Sequence, residues 1–217
     1  MYSLLRKNSA FFIPYFLFLL TGTLWLMAWS KNDIAVYING HNSPAADFFF
    51  KYWTDVGLGW LIIPALIILS FVSLRGMFMA LISYLLAFGI NDSLKLAIHD
   101  PRPSYILDSL HIPFYRVPGV EIMGWDGFPS GHTAISFSVF CMLALMSNKK
   151  WVKFLCFTAA LLVGYSRMYL AEHFITDVLG GSVIGITCTV LTYKLMTKWH
   201  ALNKFAHIDN PLIKLGK

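Results

Sequence analysis

Six long apolar stretches dominate the sequence, and each has roughly the length that a membrane-spanning helix requires. They cover residues 11–30, 56–74, 76–97, 131–147, 151–169 and 175–196. A helix needs about 20 mostly apolar residues to cross the hydrocarbon core of a bilayer. The pattern therefore predicts an all-α fold, an integral membrane bundle of six transmembrane helices, in which residues 1–217 form a single domain.

Two segments between these stretches are more polar. Residues 32–55 alternate apolar and polar positions and include three consecutive phenylalanines, which is typical of an interfacial helix. Residues 99–129 contain five prolines and three glycines. Because such residues interrupt regular structure, this segment predicts a long irregular loop between the third and fourth helices.

The composition excludes an ordinary soluble domain. Hydrophobic residues make up 57% of the chain, charged residues 13%, and the mean hydropathy is +0.62, whereas soluble domains carry about 25% charged residues. The net charge is +6, but the basic residues form no continuous face or arm, so no nucleic acid partner is expected. Cys141, Cys156 and Cys188 lie in apolar stretches without metal-ligand spacing and are predicted to be buried.

The distribution of Lys and Arg predicts the orientation of the bundle. Positive residues near the ends of spans are retained in the cytoplasm. With the N-terminus inside, most of the 17 Lys and Arg residues fall on the cytoplasmic side. Those residues are Arg6, Lys7, Arg75, Lys149, Lys150, Lys153, Lys194, Lys198, Lys204, Lys214 and Lys217. Both termini are therefore predicted to be cytoplasmic, and residues 99–129 extracytoplasmic.

Three groups of polar residues fall at span ends on that extracytoplasmic side. Each alone has an ordinary explanation: cations that reach the interface, a helix start, or a structural hydrogen-bonded pair. Their convergence favours a functional site, because ionisable residues at membrane depth are costly. The groups are Lys95, Arg102 and Pro103; Pro129, Ser130, Gly131 and His132; and Ser166, Arg167, His173 and Asp177.

These residue types match what phosphate binding requires. Lys95, Arg102 and Arg167 supply three positive charges for the phosphate oxygens. The backbone amides around Ser130 and Gly131 begin a predicted helix, and a helix N-terminus binds anions. We therefore expect these five residues to bind the phosphate group.

Three further residues supply the chemistry. Neutral His173 is a candidate nucleophile, and Asp177, one helical turn later, is placed to hold its ring. His132 then remains as the acid for the leaving group and as the base for the attacking water. This assignment predicts hydrolysis of a phosphate ester.

In order, the three groups read K-x6-R-P, P-S-G-H and S-R-x5-H-x3-D, from Lys95 to Asp177. This pattern resembles the type 2 phosphatidic acid phosphatase superfamily, which includes membrane lipid phosphatases and soluble vanadium haloperoxidases. The resemblance implies a phosphohistidine intermediate on His173, without a metal or another cofactor. It also implies a lipid phosphate or diphosphate substrate, hydrolysed in a bacterial cytoplasmic (inner) membrane.

Several alternatives stay open at this point. Undecaprenyl diphosphate, phosphatidylglycerol phosphate, phosphatidate and lipid A phosphate all suit the motifs. Haloperoxidase chemistry would suit the same pocket, but six spans argue against it. A non-catalytic protein that binds or transports lipid phosphates could share the scaffold, although the intact His132, His173 and Asp177 argue against that.

Four more residues receive structural interpretations. Glu172 is interpreted as a solvated loop carboxylate, with modulation of His173 as the alternative. Asp92 is expected to face the bundle and to pair with a neighbour. Gly181 and Gly185 are expected to allow close packing of the sixth span against another helix.

Overall fold

The computed structural model describes residues 2–121 and 123–198, and all regular structure within these ranges is helical. The helices are α1 (Tyr2–Lys7), α2 (Ser9–Ala28), α3 (Lys31–Gly40), α4 (Pro44–Trp53), α5 (Ile62–Ser70), α6 (Leu74–Ile98), α7 (Pro103–Ser109), α8 (Gly131–Met146), α9 (Lys150–Tyr169) and α10 (Ile175–Lys198). Two short 3₁₀ turns, Thr54–Gly57 and Gly59–Leu61, connect α4 to α5. The all-α prediction is confirmed for the described residues.

Helices occupy all six predicted stretches, but they differ in their capacity to cross a membrane. Three helical segments of the described chain are long and apolar enough: Ser9–Ala28, Leu74–Ser109 and Ile175–Lys198. A fourth results if Pro44–Gly57 and Gly59–Ser70, which are bent by 64°, count as one broken span. The shorter α8 is apolar over 16 residues. Six complete spans therefore stay a prediction.

The outer surface of the bundle is apolar, as expected for a protein surrounded by lipid. On α2, for example, Ile13, Leu17, Leu20 and Leu24 are all more than half exposed. A helix that is hydrophobic all round belongs in a protein core or in a membrane. The exposed apolar residues of α2 therefore agree with the membrane interpretation.

Helix α8 lies at the centre of the bundle and packs against α6, α9 and α10. Its Phe137 and Cys141 are fully buried in one core cluster with Phe11 and Tyr15 of α2, and the ring centroids of Tyr15 and Phe137 lie 5.7 Å apart. All three cysteines are buried and free, which confirms that prediction. The central position of α8 fixes its first turn, which carries the second motif, relative to the other helices.

Two glycines bring α10 unusually close to α8. A Cβ atom added at Gly181 would overlap the carbonyl oxygen of Ser130, and one at Gly185 would overlap that of Ala134. The two backbones are therefore in contact at these positions, as expected from the sequence. This contact brings the start of α8 against the first turns of α10.

The segment between α2 and α5 forms two helices where the sequence suggested one interfacial element. The Ser30 hydroxyl caps α3 by accepting from the Asp33 amide at 3.2 Å. The Ser43 hydroxyl likewise accepts from the Ala46 amide at 3.3 Å, and Pro44 follows as the first residue of α4. These are favourable helix starts, and the interfacial location stays a prediction.

The segment between α6 and α8 is irregular, as predicted, apart from the short helix α7. This helix was not predicted, because the segment is rich in proline. Pro103 occupies the first helical position, where proline is well tolerated. One backbone hydrogen bond closes the segment on itself, and another bond attaches it to α3. The Arg102 amide donates to the Gly124 carbonyl at 2.8 Å, and the Tyr115 amide donates to Asn39 Oδ1 at 2.7 Å.

Candidate active site

The second motif lies at the start of α8, and a backbone hydrogen bond joins it to the third motif. The Ser130 amide donates to the carbonyl oxygen of Asp177 at 3.0 Å. The Ser130 hydroxyl is fully buried and accepts from Thr133 Oγ1 at 2.9 Å, which leaves its own hydrogen available as a donor. The amides that begin α8 lack partners within the helix and are suited to bind an anion.

His173 and Asp177 form the buried pair that the sequence predicted. His173 Nδ1 lies 3.4 Å from Asp177 Oδ2, and its geometry is not that of a hydrogen bond. The carboxylate is oriented by other donors, namely the Phe174 amide at 2.8 Å and the Thr176 hydroxyl at 2.9 Å. A small rotation of the imidazole would complete the contact that fixes its tautomer.

The environment of His173 favours the neutral ring. Burial lowers the pKa of His173 well below its usual range, and the positive charges of Arg167, Arg102 and Lys95 lower it further. A hydrogen bond with the backbone of Gly127 acts in the opposite direction. His173 therefore keeps a lone pair available near neutral pH, which a nucleophile requires.

The two motif arginines converge on a single carboxylate. Arg102 Nη1 donates to Glu172 Oε2, and Arg167 Nη2 lies 3.3 Å from the same oxygen. Arg102 Nε also donates to the carbonyl oxygen of Trp125 at 2.8 Å. Arg167 Nη1 donates to Thr54 Oγ1 at 2.7 Å. Residues far apart in the chain thus hold the two guanidinium groups together.

Lys95 and His132 line a cavity of about 200 Å³ between the start of α8 and helix α6. The rest of its lining is mostly apolar. Those residues are Gly57, Leu58, Gly59, Phe88, Asn91, Asp92, Gly131 and Ile135. Lys95 of the first motif and His132 of the second motif therefore share one cavity.

Arg167 and Glu172 line a second cavity of about 280 Å³, on the side of the 3₁₀ turn after α4. Its lining is more polar and includes Lys51, Thr54 and Asp55. Among the candidate site residues, Lys95, Gly131 and His132 line the first cavity and Arg167 lines the second. The others, Arg102, Ser130, His173 and Asp177, are buried and line neither of these two cavities.

The structure corrects two interpretations of carboxylates. Glu172 is not a solvated loop residue, because it is only 2% exposed and is paired with both motif arginines. Asp92, which we expected to pair inside the bundle, is exposed and lines the Lys95 cavity. No residue spacing in the sequence predicts the position of either carboxylate.

Two site residues were missed altogether. Thr54 contacts Arg167 across 113 positions of the chain. Asn91 precedes Lys95 by one helical turn, lines the same cavity and has a buried Oδ1 atom without a partner among the described residues. The one available signal for Asn91 was its place on the Lys95 face of α6.

Within residues 2–121 and 123–198, no group of three or more His, Cys, Asp or Glu side chains is arranged to hold a metal ion.

Comparison with known proteins places this geometry in a family. The family model described as PAP2 superfamily matches residues 76–201, which include all three motifs. A lipid A 4'-phosphatase of Bacteroides thetaiotaomicron is 26% identical over 163 residues, which cover 70% of this chain and 71% of the relative.

Two solved structures share the fold. The crystal structure of Aquifex aeolicus LpxE matches with a TM-score of 0.68 and 30% identity, covering 75% of this chain and 93% of that chain. A transmembrane PAP2-type phosphatidylglycerolphosphate phosphatase from Bacillus subtilis matches with a TM-score of 0.53 and 22% identity, covering 89% and 97%. The resemblance seen in the motifs is thereby confirmed: the chain belongs to the PAP2 superfamily and is an integral membrane lipid phosphatase.

Proposed function

We propose that the protein hydrolyses a lipid phosphate or diphosphate monoester through a phosphohistidine on His173. The observation that carries this proposal is the buried His173 and Asp177 pair beside Arg102 and Arg167. A neutral nucleophile next to clustered cations is what attack on a phosphate anion requires.

In the first step, the ring nitrogen of His173 that does not face Asp177 exchanges its contact with the Gly127 backbone for the substrate and attacks phosphorus. The new phosphorus–nitrogen bond forms as the bond from phosphorus to the lipid oxygen breaks. His132 gives its proton to that oxygen, and the Asp177 carboxylate stabilises the positive charge that develops on the imidazole. The products of this step are the free lipid alcohol, or the lipid monophosphate, and the phosphorylated histidine.

In the second step, water attacks the phosphohistidine. His132, now neutral, accepts a proton from the water, and the phosphorus–nitrogen bond breaks. Inorganic phosphate leaves, and His173 returns to its neutral form. Both steps therefore use the same three side chains.

Five residues bind the phosphate group in this proposal. Lys95, Arg102 and Arg167 balance its charge, while the Ser130 hydroxyl and the amide of Gly131 donate hydrogen bonds to its oxygens. The buried position of Ser130 and the shared carboxylate of the two arginines support a site built for an anion.

The site lies on the extracytoplasmic face in this proposal. The positive-inside distribution supports cytoplasmic termini in a bacterial cell. The proposal includes six spans in one domain of residues 1–217, whose motifs occupy 95–177. For the substrate, lipid A phosphate is tested first, because the Bacteroides relative is a lipid A 4'-phosphatase. Undecaprenyl diphosphate, phosphatidylglycerol phosphate and phosphatidate complete the set.

The experiment is a phosphate-release assay on purified protein with these four lipids in mixed micelles. The His173→Ala variant is the matched control. We expect release from at least one lipid by the wild type and background release by the variant. Equal release by both proteins for every lipid would refute the proposal.

A further inference from the structure

Glu172 is a buried carboxylate in direct contact with two of the candidate phosphate-binding residues. Its Oε2 accepts from Arg102 Nη1 and lies 3.3 Å from Arg167 Nη2. The backbone of Glu172 is also fixed, because its amide donates to the Arg167 carbonyl oxygen at 3.0 Å. The carboxylate therefore sits between the guanidinium groups as part of the fold.

The arginines do not depend on Glu172 alone for their positions. The Trp125 carbonyl holds Arg102, and the Thr54 hydroxyl holds Arg167. Arg167 Nε is buried and has no hydrogen-bond partner among the described residues, so a donor remains for another acceptor. What Glu172 adds is negative charge.

That charge has two consequences. Without it, Arg102 and Arg167 would be buried beside each other with no anion between them, which is strongly unfavourable in a low-dielectric interior. With it, any phosphate that binds the two arginines shares their positive charge with a carboxylate, and the two anions repel each other.

We infer that Glu172 neutralises the arginine pair when no phosphate is bound and thereby weakens the binding of the phosphate product. This inference rests on the proposed function, in which Arg102 and Arg167 bind the phosphate. A lipid substrate has further contacts through its chains, whereas inorganic phosphate has only the charged site. Glu172 therefore promotes product release and acts as a positioning residue rather than a reacting group.

The test is the inhibition constant of inorganic phosphate as a competitive inhibitor of lipid hydrolysis. Glu172→Gln keeps the shape and one acceptor oxygen but removes the charge. We expect its inhibition constant to fall at least about tenfold, since a repulsive charge within contact distance of the same cations is lost. KM should fall as well, and kcat should fall because the product leaves slowly.

Two variants serve as controls. Glu172→Asp keeps the charge and should retain an inhibition constant within about threefold of the wild type. Glu121 is exposed and lines the same cavity as Glu172 without contacting either arginine in the described structure. Glu121→Gln should leave the inhibition constant within about twofold, because an exposed charge is screened by solvent.

Stability in detergent gives a second readout. Glu172→Gln should unfold at a lower temperature than the wild type in the absence of phosphate. Added phosphate should raise the unfolding temperature of the variant more than that of the wild type, because it binds the variant more tightly. A loss of packing alone would lower the unfolding temperature without strengthening the effect of phosphate.

The outcomes separate this inference from the proposed function. If phosphate competes with lipid in the wild type and His173→Ala is inactive, but Glu172→Gln binds phosphate no more tightly, Glu172 has only a structural role. The inference also fails if Glu172→Gln cannot be obtained folded with phosphate present throughout purification. If His173→Ala stays active, the proposed function itself fails.

Discussion

His173 Nδ1 lies 3.4 Å from Asp177 Oδ2, with both side chains buried and one helical turn apart in sequence. The carboxylate accepts from the Phe174 amide and the Thr176 hydroxyl, so its position does not depend on the imidazole. In the proposed mechanism, the carboxylate is thus held in place before the histidine acquires positive charge, which avoids reorganisation during the reaction.

We predict that His173→Ala abolishes turnover while the protein remains folded and inserted. Loss of a nucleophile costs up to ~10⁶-fold in kcat. The measurement is lipid hydrolysis by purified protein of matched unfolding temperature. The exposed His41 provides the control, because His41→Ala should keep wild-type activity. A His173→Ala rate above about one hundredth of wild type would remove His173 as the nucleophile.

The lowered pKa of His173 predicts how stability depends on pH. Histidine in the unfolded chain takes up a proton near pH 6.5, whereas burial keeps His173 neutral in the folded protein. Below pH 6.5 the folded state thus binds fewer protons than the unfolded state. The stability that neutral His173 contributes to the folded protein is therefore lost as the pH falls. The wild type should therefore be less stable at pH 5.5 than at neutral pH.

The measurement compares wild type with His173→Gln, which cannot titrate at this position. Between pH 7.5 and pH 5.5, thermal unfolding should show a larger loss of stability in the wild type. Parallel curves for the two proteins would mean that His173 is not kept neutral by its surroundings.

The predicted orientation can be tested by cysteine labelling. Ser109 at the end of α7 and Asn148 between α8 and α9 are both exposed and lie on opposite predicted sides. After replacement of the three native cysteines, Ser109→Cys should react with an impermeant thiol reagent in intact cells or spheroplasts. Asn148→Cys should react only after permeabilisation. The reverse pattern would place the candidate site in the cytoplasm.

Activity should survive EDTA and be inhibited competitively by orthovanadate. Three cations, Lys95, Arg102 and Arg167, can balance the charge that metal ions balance in other phosphatases. Vanadate resembles five-coordinate phosphorus and should bind a site complementary to the transition state.

Arg167→Gln should weaken this inhibition at least about tenfold, since a charged hydrogen bond to the ligand is lost. Arg116→Gln should not, because Arg116 is exposed and pairs with Asp108. Loss of activity in EDTA that magnesium restores, with metal binding by the lipid excluded, would contradict the mechanism.

The close contact between α8 and α10 leads to a prediction about stability. Gly181→Ala should destabilise the protein, because its Cβ would overlap the Ser130 carbonyl oxygen. Gly89→Ala is the matched control, since Gly89 is also in a helix and has open space around it. Alanine is the better helix former there, by about 1 kcal/mol. Equal unfolding temperatures for the two variants would show that α10 can move away from α8.

The sequence predicted the parts of the site that follow fixed spacings. Asp177 lies four residues after His173, and Ser130 directly precedes α8, so the positions of these residues could be expected from their spacing. The pairing of Arg167 with Thr54 depends on how distant segments pack, and no local pattern contains that information. Glu172 was misjudged for the same reason, because a carboxylate beside a loop histidine looks solvated until its two arginine partners are in place.

The fold, like the site, was predicted from the sequence only in part. Apolar length located the helices correctly, since each must bury its backbone whatever its neighbours are. Helix α7 begins at Pro103 without a side-chain hydrogen bond at its N-cap, so no capping signal distinguished it from a loop. The break between α4 and α5 likewise depends on local packing rather than on hydropathy.

Two hydrogen bonds hold the segment after α6 in place. One joins Arg102 to Gly124, and the other joins Tyr115 to Asn39. Between Tyr115 and Gly124, the residues Gly119, Val120, Glu121 and Met123 line the cavity of Arg167. Insertions or deletions there would reshape this cavity while Arg102, a proposed phosphate-binding residue, keeps its position. Sequence changes in this short surface segment can therefore alter which lipid head group the site accepts, while the helical bundle stays the same.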